Sequence, residues 1–155
     1  MHNFYQTLLF VSVSLFSFGQ DLEHTKLEWD EDPTWTEIDT MEMNDQQIVT
    51  EVNEIIEFAY SEEYNNALIE YRTRHKKVRV FGEDAIQNNN KVYIPMSMVI
   101  KLVDARARVI TPDGKVIDLD ESNIQESEGG DGYGAYKYFA IDGVVAGSDI
   151  EYVYT

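Results

Sequence analysis

The sequence predicts an all-β domain, an antiparallel β-sandwich of about seven short strands behind an N-terminal signal and an acidic leader. Three observations carry this expectation. In Ile100 to Leu119, Val103, Ala105, Ala107 and Val109 recur at period two opposite Asp104, Arg106 and Arg108, the pattern of a strand with one buried and one wet face. Thr111-Pro112-Asp113-Gly114 then reads as a tight turn, with Pro112 presetting φ, Asp113 tolerating the bend and Gly114 free to take positive φ. Lys115 to Asp118 returns as the partner strand, and further apolar stretches with turn residues between them follow the same plan.

Taken in order, residues 1–19 resemble an export signal. Leu8 to Phe16 is apolar except for Ser12 and Ser14, small residues precede Gln20, and the run is too short to span a bilayer as a mature helix. The segment ahead of it has no Lys or Arg. Export places the mature chain in the periplasm, at the outer membrane or outside the cell. Residues 20–44 form the acidic leader, in which Trp29 and Trp35 stand among carboxylates. Two roles fit them: docking a basic peptide or a sugar, or pinning the leader to the domain. The second is the plainer and is preferred.

The domain proper is expected over 45–155. Asp45 to Tyr60 fits a helical stripe through Ile48, Val52, Ile55 and Ala59, and its second half fits a strand equally well. Ala67 to Phe81 reads as a long extended segment with Arg72, Arg74, Lys76, Lys77 and Arg79 on it, expected to face solvent and pair with Glu51, Glu54 and Glu57 next door. Gly82 to Lys91 reads as a loop, and Val92 to Ile94 as a strand stopped by Pro95. Asp120 or Ser122 is expected to cap a turn, Glu126 to Gly134 to be a mobile loop, and Tyr136–Ile141 and Asp149–Tyr154 to form a last strand pair joined through turns at Gly143 and Gly147. A domain ending at Thr155 would stop inside a strand and leave a bare edge, so the domain reads as incomplete.

Charge and residue supply narrow the function. Residues 21–63 hold fifteen acids against Lys26 alone, whereas residues 64–155 hold fourteen acids and eleven bases. A field of that sign repels nucleic acid and anionic lipid, and the basic strand is read as a solvated face and not a nucleic-acid site. The absence of cysteine rules out disulfides, a lipidated N-terminal Cys and thiol catalysis. Beyond His2 there are only His24 and His75, in unrelated contexts, which leaves little for a metal centre or a Ser-His-acid triad. The acids Asp118, Asp120 and Glu126 fail a calcium-loop pattern because Asn123 stands where Gly is needed. No catalytic residue, metal or cofactor is therefore assigned. A second hypothesis, a free-standing glycan- or peptide-binding module, would use Trp29, Trp35, Tyr133 and Tyr136.

Four blocks then carry a resemblance: Tyr71 to Val80, Lys91 to Pro95, Ala105 to Ile117, and Phe139 to Val144 with Gly147 to Tyr152. In this order they are similar to the domain of unknown function that precedes a transglutaminase-like domain in exported bacterial proteins, especially of the Bacteroidetes group. The likeness covers roughly 55–155. It implies a β-sandwich, a strand over Ile55 to Tyr60, and a catalytic Cys-His-Asp set in a downstream domain absent from this sequence. The expected function is thus a non-catalytic module that packs against that domain or presents substrate to it.

Overall fold

The computed structural model describes residues 24–39, 45–128 and 134–155, so the signal segment and Tyr133 lie outside the described residues. Among the described residues, eight strands form two antiparallel sheets. Gln47–Ser61 (β1), Ala67–Val80 (β2), Asp149–Tyr154 (β8), Ala105–Ile110 (β4) and Val116–Leu119 (β5) make a five-stranded sheet in that spatial order. Lys91–Pro95 (β3), Tyr136–Ala140 (β7) and Ile124–Ser127 (β6) make a three-stranded sheet. The all-β sandwich expected from the sequence is what the chain forms, with β1 resolving the helix-or-strand ambiguity as a strand.

The core lies between the sheets. Val78, Val80, Ala105, Ala107, Val109 and Ile150 from the larger sheet meet Val92, Ile94 and Phe139 from the smaller one. Each set alternates along its strands with residues on the opposite face, as a pleated chain requires. The β4–β5 turn has the expected local chemistry: Gly114 N–H donates to the Thr111 carbonyl at 2.9 Å and Gly114 has φ 82°. A Cβ added at Gly114 would meet nothing within 4 Å, so any cost of a side chain is backbone strain alone. Gly114→Val should lower stability by about 1–3 kcal/mol, read as a shift in thermal midpoint; an unchanged midpoint would refute the strained turn.

Several expectations are corrected. Tyr136–Ala140 and Asp149–Tyr154 are not paired with each other: the first joins β3 and β6, and the second inserts between β2 and β4. Their connection crosses from one sheet to the other, tied by Gly147 N–H to the Val80 carbonyl at 2.7 Å. Glu83–Asn89 is a short helix (α1) where a loop was expected; Glu83 and Asp84 favour its first turn electrostatically and Ala85 is buried. Glu126 and Ser127, expected to open a mobile loop, belong to strand β6. Asp120 is the cap of a single 3-10 turn, its carboxylate accepting from Ser122 N–H and the Asn123 side chain accepting in return from the Asp120 N–H.

Candidate functional site

The central part of the polar face of the larger sheet is not solvated. Strand register places Arg79 opposite Asp149, Lys77 opposite Glu151 and Glu151 opposite Arg108, and residues directly opposite share a face. Arg79, Arg108, His75, Asp149 and Glu151 are all buried. Arg79 grips Asp149 bidentately, Nε to Oδ1 at 2.7 Å and Nη2 to Oδ2 at 2.6 Å. Arg108 holds Glu151 Oε2 through Nε and Nη2, both at 2.7 Å. His75 Nε2 lies 2.9 Å from Glu151 Oε1 and donates to it, since an ionised carboxylate only accepts.

The leader covers this ionic layer. Trp29 lies over the guanidinium carbons of Arg108 and Arg106, 4.3 and 4.8 Å from its ring centre, and Trp35 over that of Arg79 at 4.6 Å. The Arg106, Arg108 and Arg79 guanidiniums donate to the main-chain carbonyls of Leu27, Asp30 and Thr36 respectively. Trp35 Nε1 donates to the Gly147 carbonyl at 2.7 Å, and farther along His24 stacks on Tyr71 with ring centres 5.2 Å apart. The strand expected to face solvent is therefore split. Arg72 and Arg74 are exposed and reach Glu54 at 3.9 and 3.2 Å, as expected, but Arg79 and His75 are buried and pair with β8. Glu57 pairs with Thr25 of the leader and not with a strand cation.

Glu51, His75 and Glu151 bring one ligand-type atom each within 4.8 Å of one another. Their donors are already engaged: Glu151 uses one oxygen on His75 and the other on Arg108, and Asn53 bridges to both Glu51 and His75 Nδ1. With the Arg108 charge bonded to the shared carboxylate, the arrangement suits a hydrogen-bonded ion cluster better than a dication. Burial pushes the Glu151 carboxyl up, but bonds from His75 and Arg108 and the charges of Arg108 and Lys77 outweigh it and hold it below the ordinary value of 4.5. The unfolded chain therefore binds more protons at Glu151 than the folded one as pH drops. Its stabilisation is present above pH 4.5 and is lost as pH falls through the folded value. Urea titrations across that range should show falling stability, with a shallower slope in Glu151→Gln; equal slopes would deny Glu151 this role.

A family model for a domain of unknown function with solved structure, DUF3857, matches residues 69–155, more than half of the chain. The chain belongs to the DUF3857 family. The matched span includes every buried charged residue of β2, β4 and β8 named above, whereas the leader and β1 lie outside it. No curated protein matches the sequence. Among solved structures, a chain from Parabacteroides distasonis described as a "putative protease" matches with a TM-score of 0.50 and 13% identity, covering 70% of this chain and 22% of its own. This chain thus spans about a fifth of that neighbour's length, and the likeness concerns the fold alone.

The residues singled out in the sequence fall in separate places on this DUF3857 domain. Trp29 and Trp35 turn inward onto arginines under the leader, whereas Tyr136 stands on the smaller sheet with Tyr93 and Tyr138, ring centres 5.4 to 6.1 Å apart. Pro112, Asp113 and Gly114 occupy the β4–β5 turn, and Gly143 and Gly147 take φ of 79° and 88° in the β7–β8 connection. Two concave surfaces beside α1 are lined by groups such as Gln46, Asp84 and Asn88, and hold none of the ionic layer. Sequence reading missed the exposed apolar residues on the inner face of the β1–β2 hairpin, which alternate across the strands with Glu54, Glu70, Arg72 and Arg74. Phe58, Tyr60 and Leu68 are 61, 68 and 57% exposed, and with Val52 and Ile56 they share the face that farther along β2 carries the core residue Val78. A β-bulge between Val49 and Glu51 is what sets Val52, Ile56, Phe58 and Tyr60 on this side and turns Glu51 to the other.

Proposed function

We propose that this chain is a non-catalytic β-sandwich module of an exported transglutaminase-like protein, built to pack against a downstream domain or present substrate to it. The observation that carries this reading is the uncovered inner face of the β1–β2 hairpin, where exposed large apolar side chains stand among ion pairs. Ile56, Phe58, Tyr60 and Leu68, interspersed with the ion pairs of Glu54 and Glu70 with Arg72 and Arg74, continue the core-facing side of the sheet past the point where β8 pairs with β2, which ends at Arg74. An exposed strand face that sets large apolar side chains among ion pairs has the mixed character of an interaction surface. The residue supply agrees: the sequence has no cysteine, and the buried acids and His75 are bound to one another, so acyl-transfer chemistry would come from the partner domain. The longer chain of the "putative protease" neighbour, of which the match covers 22%, is consistent with a module in a larger protein.

Alone, the chain should associate with rising concentration in sedimentation velocity and bind a hydrophobic dye. Phe58→Asp with Leu68→Asp should abolish both and leave the thermal midpoint nearly unchanged, since both side chains are exposed. A monomer that binds no dye would defeat the proposal. The cluster of Tyr93, Tyr136 and Tyr138 supports a second reading, glycan binding on the smaller sheet. Retention on immobilised polysaccharide that is lost in Tyr93→Ala would favour it.

A further inference from the structure

The outer face of the larger sheet has the features of a peptide receptor. None of the residues in the hydrophobic core cluster belongs to leader residues 24–39, so the sandwich closes its core without them. What the sheet offers the leader is a set of contacts suited to any extended chain: guanidinium N–H groups of Arg106, Arg108 and Arg79 on the carbonyls of Leu27, Asp30 and Thr36. Main-chain carbonyls carry no sequence information, so selectivity must come from side chains. The largest of these are Trp29 and Trp35, six positions apart, each over one or two guanidiniums, while Thr25 on Glu57 and His24 on Tyr71 add contacts at the leader's start. The three arginines beneath the leader are each paired with a carboxylate of the body, Asp104, Glu151 or Asp149, so the tryptophans and not net charge distinguish the bound segment.

We infer that this face is a docking site for an extended peptide bearing two tryptophans six residues apart, and that the leader is the copy of that ligand carried in cis. Arg79 and Arg108 are preorganised by Asp149 and Glu151, so the site keeps its donors aimed outward before any peptide arrives. A segment of the same kind in trans then competes with the leader for one face.

The test uses the full chain with a protease recognition sequence replacing Thr40 to Asn44, folded first and cut afterwards. A fluorescein-labelled peptide of residues 24–39 is added in excess and followed by anisotropy and size exclusion. The labelled peptide should replace the cut leader while the near-ultraviolet circular dichroism of the body persists. Trp29→Ala or Trp35→Ala in the peptide should weaken competition at least tenfold, and a scrambled peptide of equal composition should not compete. Three results would each overturn the inference: equal competition by the scrambled peptide, no exchange, or loss of the body's tertiary signal as the leader leaves.

Discussion

Arg79→Met should cost about 3–5 kcal/mol of unfolding free energy, because it strands the buried Asp149 carboxylate without its bidentate partner. The nearest remaining cation, Lys77 Nζ, is 3.8 Å from Asp149 Oδ2, too far for a direct hydrogen bond. The pair itself contributes little net stability, since removing both charges from water offsets most of their attraction. Arg79→Met combined with Asp149→Leu should therefore recover most of the single-mutant loss. Urea unfolding of the two variants decides the matter: a double mutant as unstable as the single would mean that the arginine acts mainly by holding Trp35 and the leader, and not by neutralising the acid.

Phe139→Ala should destabilise by a comparable amount, about 3–5 kcal/mol, for a different reason. Phe139 is fully buried on β7, the middle strand of the smaller sheet, opposite Val92 on one side and Ile124 on the other. Its ring fills the space between the two sheets, and a three-stranded layer has few other large side chains to close the gap. Phe139→Leu should cost less, because it returns part of the lost volume. If Phe139→Ala lost under 1 kcal/mol in the same titration, the smaller sheet would not be packed on the larger through this residue.

What could be read from the sequence was what is encoded locally. The β4–β5 hairpin needs only Thr111 to Gly114 and the alternation on either side, so its turn and strands were legible. The placement of β8 between β2 and β4 was not, because Asp149–Tyr154 carries the same period-two pattern whether its neighbours lie close or about seventy residues away. The ionic layer was hidden for a related reason. Arg106 and Arg108 alternate with alanines as a solvated face would, and only the leader's position distinguishes a face under protein from one under water. Trp29 and Trp35 were the available signal, since two large apolar rings in an acidic stretch must be covered by something. The seven-residue α1 was missed because its Asn-rich end resembles a loop.

The strand at the middle of the larger sheet is the last of the eight in sequence. Until β8 has been synthesised, the hairpins β1–β2 and β4–β5 have no strand to join them, and on a ribosome each would emerge as a separate two-stranded ribbon, marginal by itself. Closure then pairs Arg79 with Asp149 across seventy positions of chain, a long loop to close before any contact rewards it. The sheet's topology therefore requires a late pairing step, and until it occurs the apolar edges of both hairpins are open to other nascent chains.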